Sequence, residues 1–144
     1  MNIEIRLVST PGEREDAFRV RIAVFVDEQR IPREEELDEL DGSAVHCVAY
    51  DGGEPVGAGR LVIADGYGKI GRMAVLRDRR GSGIGARVLA ALEQEGTRRG
   101  LRCFRLSAQL SARGFYDREG YAPAGDVYDE VGIPHIGMEK LLAP

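Results

Sequence analysis

Residues 79–85 read Arg-Arg-Gly-Ser-Gly-Ile-Gly, and they connect a β-rich run, Gly68–Leu76, to an amphipathic helix that Gly100 ends. A strand that enters a helix through a glycine-rich turn is typical of an anion site, because the first amides of a helix lack main-chain partners and carry partial positive charge. Glycine also tolerates positive φ and lets the backbone approach an anion closely. The stretch therefore predicts an α/β fold in which main-chain amides hold a phosphate group, and the alternative is an ordinary glycine-rich turn before a helix.

Two common phosphate-binding motifs differ from this loop. A Walker loop requires Gly-Lys-Ser or Gly-Lys-Thr after its glycines, and the chain contains neither. The dinucleotide-binding motif requires G-x-G-x-x-G after the first strand, whereas Gly81, Gly83 and Gly85 form G-x-G-x-G late in the chain. A nucleotide-dependent phosphotransferase is therefore poorly supported by these residues.

The remaining periodicity predicts one domain, residues 1–144, built on a mixed sheet. The predicted strands are residues 3–7, Ala44–Tyr50, Pro55–Ile63, Gly68–Leu76, Leu101–Ala108, Ala122–Tyr128 and His135–Leu141. A first helix begins after the cap residue Thr10 and ends before Pro32, and a short helix covers Ser111–Glu119. The acidic run 33–41 is predicted as a loop or a short helix. Hairpins make most of the sheet antiparallel, whereas the helical crossover after the glycine loop makes one pair of strands parallel.

Composition excludes several classes of protein. The chain has 144 residues, of which 43% are apolar and 31% charged, as in an ordinary globular domain and unlike a disordered or fibrous protein. Its net charge of −4 gives no support to nucleic-acid binding. No apolar run approaches the ~18 residues of a membrane span, the N-terminus lacks the apolar core of a signal peptide, and Cys47 and Cys103 form no CxxC pair. We therefore expect a cytoplasmic protein that binds neither membranes nor nucleic acids.

Several motifs resemble the GNAT-type N-acetyltransferases. Met73-Ala74-Val75 followed by Arg80-x-x-Gly83-x-Gly85 resembles the acetyl-CoA signature of that family, R-x-x-G-x-G/A between a strand and a helix. Residues 115–121, Phe-Tyr-Asp-Arg-Glu-Gly-Tyr, resemble its second signature, an aromatic-Tyr-Glu-Lys-x-Gly-Phe run. Residues 24–29 (Val-Phe-Val-Asp-Glu-Gln) and 132–138 (Gly-Ile-Pro-His-Ile-Gly-Met) are similar to a bacterial subgroup often called YjcF- or ElaA-like. The motifs occur in the family's order and cover nearly the whole chain.

The resemblance implies a single GNAT-like domain and an acetyl-CoA site. The sheet would have six to seven strands, splay into a V between Gly68–Leu76 and Leu101–Ala108, and carry about four flanking helices. Main-chain groups of the first of these strands would pair with the pantetheine arm, loop amides would hold the diphosphate, and an unpaired amide near Ala74 or Val75 would stabilise the oxyanion. The expected cofactor-binding residues are Met73, Ala74, Val75, Arg80, Gly81, Ser82, Gly83, Ile84, Gly85, Gln109 and Tyr116.

Acyl transfer from acetyl-CoA to a primary amine requires a base, an oxyanion donor and an acid. By resemblance, Tyr116 lies where the family's acid would protonate the departing thiolate, and the alternative is a packing role beside Phe115. Glu28 and His135 are the candidate bases. The alternatives are that Glu28 pairs with Arg21 and that His135 only packs within its strand.

The acidic run suggests one property of the acceptor. Its carboxylates are Glu34, Glu35, Glu36, Asp38, Glu39 and Asp41. The run follows the first helix, which in the resembling family borders the acceptor side of the cleft. A cationic amine is therefore one candidate acceptor, and a solvated surface is the alternative. An acyl-CoA-binding sensor without turnover is the alternative function, and pairing of sheet edges in a homodimer stays open.

A metal site is not expected from the sequence. The residues considered for zinc are His46, Cys47, Cys103 and His135. Adjacent strand residues point to opposite faces of a sheet, so His46 and Cys47 are poorly placed to share one ion.

Overall fold

A mixed sheet of eight strands forms the centre of the computed structural model, which describes residues 1–143. The strands are β1 (Ile3–Leu7), β2 (Val45–Asp51), β3 (Glu54–Ile63), β4 (Gly68–Val75), β5 (Cys103–Gln109), β6 (Ala122–Pro123), β7 (Tyr128–Glu130) and β8 (Ile133–Leu141). Their order is β1-β2-β3-β4-β5-β8-β6, and β7 also pairs with β8. In this part of the chain β4 and β5 are parallel and the other pairs are antiparallel. The predicted mixed, mostly antiparallel α/β architecture is confirmed.

Four α-helices flank the sheet within the described residues. They are α1 (Pro11–Arg21), which continues as a π-helical segment (Ile22–Glu28), α2 (Arg33–Glu36), α3 (Ile84–Arg98) and α4 (Arg113–Arg118). The first helix begins as predicted, because the Thr10 hydroxyl accepts a hydrogen bond from the Glu13 amide at 3.1 Å and proline occupies the first helical position. Its π-helical continuation ends before Pro32, also as predicted.

The two faces of the sheet have separate cores. On one face, Ala17 and Val20 of α1 are buried against β2, β3 and β4. On the other face, α3 approaches β3 so closely that a Cβ added to Gly59 would lie 2.9 Å from side-chain atoms of both Val88 and Leu92. A Cβ on Gly57 would likewise lie 2.9 Å from Ile84, the first residue of α3. These contacts hold the start of α3 beside the end of β4.

β4 and β5 separate after a short paired segment. Gly68–Ile70 pair with Phe104–Leu106, and no further pairing of the two strands follows among residues 1–143. At the same point β4 contains a bulge, since its register against β3 shifts by one residue and Arg72 has a φ of +51°. The two strands therefore diverge, as the predicted V requires.

The C-terminal strands differ from the prediction. One strand is predicted over Ala122–Tyr128, but the structure has two short strands, β6 and β7, in this region. Gly125 between them has a φ of +127°, which interrupts the extended conformation. The sheet consequently has eight strands instead of six to seven. The acidic run forms α2 and a 3-10 turn, Glu39–Gly42, in agreement with the predicted short helix.

Candidate active site

The loop before α3 presents main-chain amides without partners. Gly81 and Gly83 have φ angles of +80° and +87°, which glycine adopts without strain. α3 begins with no side-chain cap, and its first main-chain bond runs from the Arg87 amide to the Gly83 carbonyl at 3.2 Å. The amides of residues 81–85 make no hydrogen bond within residues 1–143. These donors lie at the positive end of a 15-residue helix and can bind an anion.

β4 directs main-chain groups into the gap between β4 and β5. On the β3 side, the Leu76 amide donates to the Val56 carbonyl at 2.9 Å. Because main-chain groups alternate along a strand, those of Val75 and Met73 face away from β3 and toward the gap. The Val75 carbonyl accepts a hydrogen bond from Arg80 Nε at 2.9 Å. Apart from this carbonyl, an extended chain that enters the gap would meet an unpaired strand edge.

Arg80 and Glu28 form an ion pair beside this edge. Both guanidinium Nη atoms of Arg80 donate to the Glu28 carboxylate at 2.7 Å, and Arg77 adds a contact at 3.3 Å. The hydrogen bonds from Arg80 lower the pKa of Glu28. A carboxylate that is already paired with two cations is a poor proton acceptor, so this geometry disfavours Glu28 as the base. The alternative prediction, that Glu28 pairs with Arg21, is wrong, because Arg21 pairs with Glu36 and Asp41.

Tyr116 of α4 is largely buried but keeps a free hydroxyl. Its ring packs edge-to-face against Phe115 and Tyr121, with centroids 4.9 and 5.9 Å away. Burial raises the pKa of Tyr116, so the phenol is protonated at neutral pH. Within residues 1–143 the Tyr116 hydroxyl oxygen has no hydrogen-bond partner, and it keeps some contact with solvent. Phe115 also packs 3.5 Å from the Cβ position of Gly85, which ties α4 to the glycine loop.

His135 of β8 is oriented by its neighbours. Its Nδ1 lies 2.7 Å from the Ile133 carbonyl, its Nε2 lies 3.5 Å from a Glu130 carboxylate oxygen, and its ring stacks on Tyr128. A carbonyl only accepts hydrogen bonds, so Nδ1 carries the proton and Nε2 is the basic nitrogen of the neutral ring. His135 is thus a 5% exposed imidazole held in position, with its two nitrogens facing the Ile133 carbonyl and the Glu130 carboxylate.

Gln29 is a site residue that sequence reasoning missed. Its Oε1 accepts a hydrogen bond from Gln109 Nε2 at 2.7 Å, and Gln109 lies opposite His135 in the β5–β8 register. Glu28 and Gln29 therefore contact the two sides of the gap, one through Arg80 and the other through the end of β5. The motif at residues 24–29, which contains Gln29, is the sequence signal that points to it.

The acidic run forms a buried ion-pair cluster. We call this cluster the acidic network, and it consists of Arg21, Glu36, Asp38, Asp41, Arg60 and Arg72. Arg21, which is 1% exposed, contacts Glu36 at 2.7 Å and Asp41 at 2.8 Å. Arg60 contacts Asp41 at 2.9 Å and Asp38 at 2.7 Å. Burial raises the pKa of Asp41, but hydrogen bonds from Arg21 and Arg60 outweigh it, and the net effect is a lowered pKa.

The acidic network also holds the β4 bulge. Arg72 donates from Nε to the Glu36 carbonyl at 3.0 Å and from Nη2 to the Asp38 carboxylate at 3.1 Å. Three of the six acidic residues in the run are thus neutralised by arginines, and Glu34, Glu35 and Glu39 stay exposed. A solvated face is therefore the wrong description of Glu36, Asp38 and Asp41. Only three of the six carboxylates are left to attract a cationic acceptor.

The residues considered for zinc have other partners. His46 Nε2 lies 2.9 Å from the Asp41 carbonyl, and burial raises the pKa of the Cys47 thiol to about 12. Within residues 1–143, no group of three or more His, Cys, Asp or Glu residues is placed to hold a metal ion. Over the same residues, no helix combines the length and apolar character needed to cross a membrane.

Comparison with known proteins identifies the family. A family model described as an acetyltransferase (GNAT) domain matches residues 13–142. The chain is 46% identical over 126 residues to the uncharacterized N-acetyltransferase YjcF of Bacillus subtilis strain 168, with 87% of this chain and 90% of the relative covered. It is 32% identical over 128 residues to the protein ElaA of Escherichia coli K12, with 85% and 84% covered.

A solved structure agrees with these sequence matches. The crystal structure of Escherichia coli ElaA superimposes with a TM-score of 0.84 at 29% identity, with 96% of this chain and 99% of that chain covered. The predicted resemblance to YjcF- and ElaA-like proteins is confirmed. The chain belongs to the GNAT acetyltransferase family.

Proposed function

We propose that this protein transfers an acetyl group from acetyl-CoA to a primary amine, by direct attack of the amine in a ternary complex. Family membership supports acyl transfer from coenzyme A. The observation that carries the proposal is the set of unpaired amides at residues 81–85, next to the unpaired edge of β4. The first feature suits a diphosphate, and the second suits an extended arm that contains amide groups.

The proposed cofactor contacts follow from these two features. Acetyl-CoA supplies the activated acyl group. The amides of Gly81, Ser82, Gly83, Ile84 and Gly85 bind the diphosphate, and each charge-assisted hydrogen bond contributes on the order of 1.5–3 kcal/mol. Met73 offers its main-chain groups to the pantetheine arm, and Val75 offers its amide at the thioester end of that arm. Arg80 remains close to this arm through its bond to the Val75 carbonyl, and Gln109 lies at the opposite edge of the gap.

The oxyanion donor is better assigned to Val75 than to Ala74. Ala74 pairs with Ala58, and the amide of Leu76, two residues later, donates toward β3. By alternation the Ala74 amide also faces β3, whereas the Val75 amide faces the gap. A fixed donor aimed at the developing charge lowers the transition-state energy because it requires no reorganisation.

The proton transfers fall to His135 and Tyr116 in this proposal. The Nε2 lone pair of His135, directly or through a water, accepts the proton that the amine loses. The Tyr116 hydroxyl, protonated and without a protein partner, donates to the departing thiolate. Glu28 has no proton-transfer role, because Arg80 occupies both of its carboxylate oxygens.

Tyr116→Phe tests turnover against the alternative of a sensor. We expect kcat, measured by thiol release with a panel of primary amines, to fall about tenfold, a modest loss because a thiol with a pKa of about 8.5 is already a fair leaving group. Calorimetry should give a coenzyme A Kd within twofold of the wild-type value. Absence of thiol release by the wild-type protein, with coenzyme A binding retained, would contradict the enzyme and favour the sensor.

A further inference from the structure

A groove of about 430 Å³ crosses the open face of β5 and β8, and the proposed chemistry does not use it. The side chains that line it include Tyr67, Lys69, Arg105, Ser107, Tyr128 and Glu139. Arg105 and Ser107 alternate along β5 with Leu106 and Ala108, which are buried in the core on the α3 side. The groove therefore lies on the sheet face opposite α3, the same face that α1 covers farther along the sheet.

One end of the groove holds two adjacent cations. Lys69 and Arg105 are directly opposite each other in the parallel β4–β5 register, and both are exposed. Arg105 pairs with Glu139 at 3.0 Å and stacks over the Tyr67 ring at 4.3 Å. Lys69 has no ion pair within residues 1–143. Like charges placed opposite each other destabilise a sheet, and one carboxylate compensates only one of the two cations, so this end of the groove is suited to an external anion.

Between the groove and the gap, the next row of residues has small side chains. Gly71 and Ser107 follow Lys69 and Arg105 by two residues, and Gly137 precedes Glu139 by two in the antiparallel strand β8, a step of about 6.8 Å toward the gap. A Cβ added to Gly71 would meet nothing within 4 Å, whereas one added to Gly137 would lie 3.2 Å from the Ala124 carbonyl oxygen. The open space is therefore over Gly71 and not over Gly137. The Ser107 hydroxyl is hydrogen-bonded to the Tyr128 hydroxyl, which forms the side of the row. Because β4 and β5 separate at this row, a small group lying there would be beside the opening that the thioester occupies in the proposed function.

We propose that the acceptor is an amine that also carries an anionic group. Its amine lies over Gly71 and Ser107, and its anionic group binds Lys69 and Arg105. The inference rests on the proposed function for the identity of the amine, but the anion site stands on the groove and its charges. It replaces the cationic acceptor expected from the acidic run, whose buried carboxylates are occupied by arginines.

Binding of three small probes tests the inference. The ¹⁵N-labelled protein, with excess coenzyme A, is titrated with 4-aminobutanoate, 2-aminoethyl phosphate and the neutral control 4-aminobutanamide. We expect at least one anionic probe to bind at least tenfold more tightly than the amide at low salt and to shift the amides of Lys69, Arg105 and Ser107. Comparing the carboxylate with the phosphate identifies which anion the site prefers. The preference should weaken as salt increases, because exposed charges are screened.

Three variants separate the anion site from general effects. Lys69→Gln should reduce the preference for anionic probes to less than threefold, whereas Arg102→Gln, which removes an exposed cation outside the groove, should leave it unchanged. Gly71→Val fills the open space and should weaken all three probes at least tenfold, with the coenzyme A Kd unchanged. Equal affinities for the charged and neutral probes, no saturable binding of either anionic probe, or a preference retained in Lys69→Gln would overturn the inference. Selective binding without thiol release would overturn the proposed function alone.

Discussion

The glycine loop and the acidic network use charge in opposite ways. The loop leaves five consecutive amides, residues 81–85, without partners at the end of a helix. The acidic network pairs three carboxylates with three arginines and buries most of them. A site for an external ligand keeps hydrogen-bonding capacity free, whereas a structural cluster satisfies its own groups. The difference shows why the loop is the candidate cofactor site, although the acidic run carries more charge.

The largest expected effect comes from breaking the acidic network. Asp41→Ala removes the carboxylate that Arg21 and Arg60 share. Each buried guanidinium keeps one carboxylate, Glu36 or Asp38, but Arg21 Nη1 loses its hydrogen-bond acceptor. We expect the free energy of unfolding in urea to fall by about 3–5 kcal/mol. The coenzyme A Kd of the folded protein should stay within threefold. The exposed neighbour is the control, and Glu39→Ala should change stability by less than about 0.5 kcal/mol. A loss below about 1 kcal/mol for Asp41→Ala would contradict a stabilising network.

The next effect concerns ligand binding at the loop. Gly83→Val places a β-branched residue at a φ of +87° and disturbs the unpaired amides around it. We expect coenzyme A to bind about 100-fold more weakly, equivalent to about 2.7 kcal/mol or one to two charge-assisted hydrogen bonds.

Gly66 provides a matched control for this substitution. Its φ is +84°, and like Gly83 it has open space at the Cβ position. Gly66→Val should lose a similar amount of thermal stability and keep coenzyme A affinity within twofold. Equal loss of affinity in the two variants would show that strain, and not the loop amides, controls binding.

These two regions also show what sequence could and could not predict. The loop was predictable because glycines, an entering strand and a helix start are local signals spread over a few residues. The acidic network was not, because Arg21, Arg60 and Arg72 reach Glu36, Asp38 and Asp41 only after folding brings α1, β3 and β4 together. The ion pair of Glu28 with Arg80 was unpredictable for the same reason, because the two residues are 52 positions apart in the chain. The split of the predicted strand over Ala122–Tyr128 depends on the conformation of Gly125, which composition does not specify.

The acidic network should also respond to pH more than the loop. The pKa of Asp41 and that of Asp38 are lowered in the folded protein from ordinary values of 3.8. Their contribution to stability is therefore fully present above about pH 4 and is lost as pH falls through the lowered folded-state values. We expect the unfolding free energy to fall more between pH 6 and pH 3 in the wild type than in Asp41→Asn. An identical decrease in both proteins would mean that other groups dominate acid unfolding.

The smallest expected effect is that of Glu28→Gln. The ion pair with Arg80 is partly exposed, and pairs of this kind contribute about 0–1 kcal/mol. We expect kcat to change by less than about fivefold and the acid limb of the pH–rate profile to keep its position. If kcat instead fell by more than about 100-fold and the acid limb of the pH–rate profile disappeared, Glu28 would be the base.

The most direct measurement is the ¹⁵N–¹H spectrum of the protein titrated with coenzyme A. We expect saturable shifts of the amides of Gly81, Ser82, Gly83, Ile84 and Gly85, with residues 34–41 of the acidic run little affected. Saturable shifts elsewhere that leave the loop amides unmoved, or no shifts at all, would contradict the assignment of this loop as the diphosphate site.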